Sequence, residues 1–168
     1  MEAIQHMRPT KLSFNSSSDQ FPGSLLTFDH PLFTNVTHLD IALHLRFEDL
    51  ECAWAKWRPL TSLPKLTHLA LSSQLAHEIL PQLLTECPGL TLFMIRFWVL
   101  AEAVEFTQTL SVADPRVVVV HALANFLMDW KGGAYGDDDF WARGDQFVLR
   151  KRTGEILSTQ YLLDETEV

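Results

Sequence analysis

NVTHLDIAL (Asn35–Leu43), KLTHLALSS (Lys65–Ser73) and GLTLFMIRF (Gly89–Phe97) can be laid over one another, and that overlay decides the fold. RVVVVHAL (Arg116–Leu123) fits the same frame, and TKLSFNS (Thr10–Ser16) fits it more loosely at the start. The equivalent central positions are Leu12, Leu39, Leu69, Phe93 and Val120, separated by 27, 30, 24 and 27 residues. Two residues further on stand Phe14, Ile41, Leu71, Ile95 and Ala122, apolar every time. A period of two marks a strand with one buried face, and its return at a near-constant interval marks a repeat.

The segments between these strands have helical spacing. Phe47–Trp57 offers Phe47, Leu50, Cys52, Trp54 and Trp57. Gln74–Cys87 offers Leu75, Ile79, Leu80, Leu83 and Leu84, and Val99–Leu110 offers Leu100, Ala103, Val104, Phe106 and Leu110. Pro64, Pro88 and Pro115 stand just before the next strand, where proline ends a helix and sets an extended backbone. The pattern predicts an α/β fold, a short leucine-rich-repeat-like solenoid of about five βα units with a parallel sheet on one face and helices on the other. The alternative is a compact α/β domain with helices on both faces of its sheet, for which VVVV at Val117–Val120 is suited. His38, Asp40 and His68 on the outward side of their strands favour one open face.

The ends depart from the repeat. DDDFWARGDQFVLRKRTG places Asp137–Asp139 first, Arg150–Arg152 last and Gly154 after, the charge order that suits a helix dipole. It predicts a capping helix over 137–153, apolar along Phe140, Trp141, Phe147 and Val148, closing the open end of a single domain spanning 1–156. Residues 157–168 read as an acidic, flexible tail, and Asn15–Asp29 as a long loop.

Composition narrows the function. The 168 residues are 47% hydrophobic and 20% charged, with a net charge of −8, which disfavours nucleic acid and anionic membranes as partners. The two cysteines cannot build a disulfide framework, and neither a secretory signal nor a membrane-length apolar run is present. The expectation is an intracellular protein, cytoplasmic or nuclear, with reduced thiols.

LTHLAL after Pro64, WAKWRPLTSLP before it, LLTECPGL, and above all DPRVVVV followed by DW and DDDFWARGDQFVLRKRTGEI carry a family resemblance. The chain resembles the leucine-rich-repeat-like region of F-box-type proteins of mushroom-forming fungi, from about Arg8 to Ile156. The resemblance implies a target-recognition scaffold of a ubiquitin ligase. Met1–Pro9 is too short to hold an F-box, so binding of the ligase adaptor is not expected, and a truncated or decoy paralogue is one reading.

The chemistry-bearing motifs are sparse. No nucleophile elbow, phosphate-binding glycine loop or EF-hand spacing occurs, so no catalytic residue and no cofactor are expected. By alternation the outward ladder comprises Lys11 and Ser13, His38 and Asp40, His68 and Ala70, Leu92 and Met94, Val119 and His121. His38, Asp40, His68, Leu92, Met94 and His121 are the predicted binding residues, in a noncatalytic module that binds another protein. If the C-terminal helix or a loop covers Leu92, Met94 and Val119 instead, they are core. The competing function is a metal-binding or metal-dependent hydrolytic protein using His38, Asp40 and His68 on neighbouring strands.

Overall fold

The structure, a computed structural model, describes residues 8–17, 28–44, 53–121, 126–134 and 139–163. Its strands are β1 (Lys11–Ser17), β2 (His38–His44), β3 (His68–Ser72), β4 (Leu92–Phe97), β5 (Val117–His121) and β6 (Leu162–Leu163). Its α-helices are α1 (Ala53–Trp57), α2 (Ser73–Glu86), α3 (Leu100–Thr109), α4 (Phe126–Ala134) and α5 (Phe140–Arg152). The fold is α/β, and the chain divides into two compact units, Met1–Thr91 and Leu92–Val168. No helix among the described residues is long and apolar enough to cross a membrane.

In the first unit β1, β2 and β3 pair in parallel, with Leu12 opposite Leu39 and Leu39 opposite Leu69, the register expected from the repeat. Leu39, Ile41, Leu69 and Leu71 are buried, as are Leu75, Ile79 and Leu83 of α2. Phe33 packs against Phe14 and Phe28, and Phe28 against Trp57, extending the core beside the strands. Burying each large apolar side chain contributes about 1.5–3 kcal/mol, so this face holds the unit together.

A threonine stands just before each of β1–β4, at Thr10, Thr37, Thr67 and Thr91. Thr37 Oγ1 donates to the Thr10 carbonyl at 3.0 Å, Thr67 Oγ1 to the Thr37 carbonyl at 3.2 Å, and Thr91 Oγ1 to the Thr67 carbonyl at 3.1 Å. Each of those carbonyls also accepts a backbone N–H from the succeeding threonine, at 2.8–3.0 Å. The ladder supplies the paired polar groups that a strand start outside the β-ladder would otherwise leave unmatched.

The second unit pairs β4, β5 and β6 in parallel, and here two expectations are corrected. Phe93 lies opposite Val117 and Ile95 opposite Val119, so the strand frame is three residues earlier than the overlay on Val120 implied. Four consecutive valines carry no polar alternation to fix a frame, and an odd shift exchanges the two faces. The helices also do not share one side. Phe106 of α3 meets Phe97 at 5.1 Å between ring centroids, while Gly144 of α5 sits against Leu92 and Met94, on the opposite face of β4 by alternation. Both faces of these strands are therefore covered, as in the alternative compact reading.

The helix predicted over 137–153 is α5, and it lies against the face of β4 that carries Leu92 and Met94. Asp139 caps it, accepting from the Ala142 N–H at 2.9 Å; Asp137 and Asp138 lie outside the described residues. At the other end the Gly154 N–H reaches the Lys151 carbonyl at 3.1 Å and the Glu155 N–H reaches the Arg150 carbonyl at 2.9 Å. That is a Schellman pair, and it needs the left-handed backbone of Gly154, at φ 76°. Gly144 is where α5 approaches β4: a Cβ there would meet the Met94 Cε at 2.2 Å and the Leu92 methyls, flexible side-chain ends that would have to move aside. Asp129 of α4 holds the start of α5 by accepting from the Phe140 N–H at 2.9 Å and from Arg143 at 3.0 Å. The flexible-tail expectation fails for 161–163: Tyr161 and Leu163 are buried and β6 pairs with β5.

Candidate interaction surface

The second face of the first-unit strands carries His38, Asp40, His68 and Ala70, in the register the sequence predicts, with Lys11 opposite His38 and Ser13 opposite Asp40. Asp40 and Ala70 are fully buried, however, so the open face expected there is corrected. The histidines are half-buried and stack at 3.9 Å between centroids with 13° between planes. Thr37 Oγ1 lies 2.8 Å from His38 Nδ1 and Thr67 Oγ1 lies 2.7 Å from His68 Nδ1, so each threonine hydroxyl bridges a strand-start carbonyl and the ring that follows it.

That arrangement does not assemble His38, Asp40 and His68 into a chelating set. Stacked rings place their nitrogens side by side, whereas ligands to one zinc ion converge on it at about 2.0–2.1 Å. Asp40 is fully buried, and its Oδ2 accepts from Ser13 Oγ at 2.6 Å. Among the described residues, no group of three or more His, Cys, Asp or Glu side chains is placed to hold a metal ion. A groove of about 260 Å³ between Leu60–Leu66 and Cys87–Leu90 is lined without any charged side chain and offers little to orient a ligand. Cys87, on its wall, is buried; Cys52 lies outside the described residues.

Leu92 and Met94 are fully buried, so the exposed apolar patch expected there is corrected: α5 covers them. Val119 is also buried, on the other face of the strands. His121 does not share a face with Leu92 and Met94. It lies opposite Phe97, half-exposed, with Nε2 3.2 Å from the Trp98 carbonyl.

Beside His121 the structure exposes a surface that the repeat pattern did not assign. Trp98 is 47% exposed, Val99 48%, Leu100 51% and Val104 37%. Leu100 and Val104 are four residues apart on α3 and so share its outer side, while Ala103 and Phe106 take the inner one. The Arg96 guanidinium lies 5.9 Å from the Trp98 ring, a cation–π distance. The sequence does contain a signal for this surface. FWVLA (Phe97–Ala101) is apolar at five consecutive positions, more than a strand end and a helix stripe can both bury.

No family model, curated protein or solved structure matches the chain.

Proposed function

We propose that the chain is a noncatalytic protein-interaction module, a short leucine-rich-repeat-like scaffold that docks a partner protein through Trp98, Val99, Leu100 and Val104, with His121 at the edge. The observation that carries this is the exposure of four large apolar side chains within seven residues of the second unit. Exposed apolar clusters of this kind, centred on tryptophan, are the chemistry of interface hot spots. The threonine ladder, recurring at 27, 30 and 24 residues, supports the repeat reading of the first unit. The resemblance to the target-recognition region of F-box-type proteins points to the same class of role.

The test is capture of partners by the full chain, wild type beside Trp98→Ala and Leu157→Ser. Leu157 is 74% exposed and lies outside the cluster, so it controls for nonspecific apolar adhesion. A partner held by wild type and Leu157→Ser but weakened at least about 30-fold by Trp98→Ala supports the reading. Equal binding by Trp98→Ala refutes the surface.

A further inference from the structure

Lys151, in the last turn of α5, is 5% exposed. Its Nζ donates to the Val117 carbonyl at 2.6 Å and lies 5.0 Å and 5.1 Å from the Phe147 and Tyr161 ring centroids. These are neutral partners for a buried cation. The carboxylate whose charge reaches it, Asp114, is engaged by Arg116, with hydrogen bonds of 2.6–3.1 Å from the guanidinium. A buried ammonium with one carbonyl acceptor and two ring faces is poorly compensated for the water it has lost.

We propose that Lys151 is a charge-controlled latch between the C-terminal turn of α5, the start of β5 and the segment leading into β6. Protonated, the amine opposes seating of the turn; neutral, it keeps the hydrogen bond to Val117 and sheds the desolvation cost. What the latch fastens is the helix that covers Leu92 and Met94. The groups that set its charge come from every element packed on it. Asp114 and Arg116 stand before β5, and Tyr161 precedes β6. From β5 itself the contact is the Val117 carbonyl. On the helix side are Arg150, paired with Glu155 at 2.7 Å, and exposed Arg152. Burial pushes the amine down from 10.5 to about 8, against the pull of Asp114.

With a folded value below the unfolded one, the stabilising contribution is present in full above 10.5 and is lost as pH falls through about 8. Opening of the turn should therefore become about tenfold rarer between about pH 7 and about pH 9. The measurement is hydrogen exchange of α5 amides at 147–152 relative to α3 amides in the same full chain, corrected for intrinsic rates. The expected result is that tenfold rise in wild type and a flat profile in Lys151→Met. A flat wild type, or the same rise in Lys151→Met, overturns the latch. Should Lys151→Met not fold, Lys151→Arg, cationic throughout this range, must abolish the rise, and a rise that persists overturns the latch as well.

Discussion

The strands of the two units present their second faces in opposite ways. In the first unit, β2 and β3 set stacked, half-buried histidines beside a buried, hydrogen-bonded Asp40. In the second, β4 and β5 set Leu92, Met94 and Val118 against a helix. The second face is buried in both units, at Asp40, Ala42, Ala70 and Ser72 in the first and at Leu92, Met94 and Val118 in the second, so the units differ in the size and polarity of what is buried there. The difference lies in the alternate residue of each strand, polar or apolar, and it decides where a helix can lie.

The largest expected effect tests that contrast directly. Leu92→Ala and Met94→Ala should each cost about 2–5 kcal/mol, because each leaves a cavity under α5. His68→Ala, at a half-buried position, should cost about 1 kcal/mol, mostly lost ring stacking. Urea unfolding of the three variants gives the comparison, and similar costs at all three positions would break it.

A reciprocal pair of swaps comes next. Thr67→Val should cost about 1–2 kcal/mol, since it removes the hydroxyl that bonds the Thr37 carbonyl and meets His68 Nδ1. Val119→Thr puts a hydroxyl into a buried, apolar position and should cost about 1–3 kcal/mol. If the polar first-unit position tolerates valine and the apolar second-unit position tolerates threonine, the two units do not differ as described. A smaller effect belongs to Gly154. At φ 76° an alanine is strained, so Gly154→Ala should cost about 1 kcal/mol and fray the end of α5, read as faster exchange of the Gly154 and Glu155 amides.

The same contrast explains what could be read from the sequence. Leu12, Leu39 and Leu69 were in register because Thr-His and Asp residues punctuate the first strands and fix which side is which. Val117–Val120 carries no such punctuation, and its frame slipped by three. α5 was legible at both ends, from Asp139 and from Arg150–Gly154, because caps are local chemistry. Its position over Leu92 and Met94 was not, since it depends on packing between segments distant in sequence. The threonine ladder was missed for a related reason. Thr37, Thr67 and Thr91 recur in the overlay just outside the apolar frame, where a hydrophobic pattern assigns no weight. Trp98 fell between the strand segment ending at Phe97 and the helical segment beginning at Val99, and only burial separates exposed Leu100 and Val104 from Ala103 and Phe106.

Titration extends the comparison to the alkaline range. The second unit buries a lysine and a tyrosine, and their effects on stability have opposite signs. Tyr161 is buried and its hydroxyl donates to the Val112 carbonyl, so burial pushes its ionisation above 10.0. The unfolded chain then gives up this proton first, and the stabilising contribution, complete below 10.0, is lost as pH rises beyond it. Lys151 acts the other way, adding stability from about 8 up to 10.5. Stability of the second unit should therefore climb from neutral pH, pass through a maximum near the tyrosine's range and fall above it. Tyr161→Phe should shift the decline to higher pH while keeping the climb, at a constant cost from the Val112 carbonyl it leaves behind. Circular dichroism of urea-denatured samples across that range separates the two limbs. If Tyr161→Phe and wild type decline together, the alkaline limit is set by other tyrosine, lysine or arginine groups, and the buried pair is not what distinguishes the second unit.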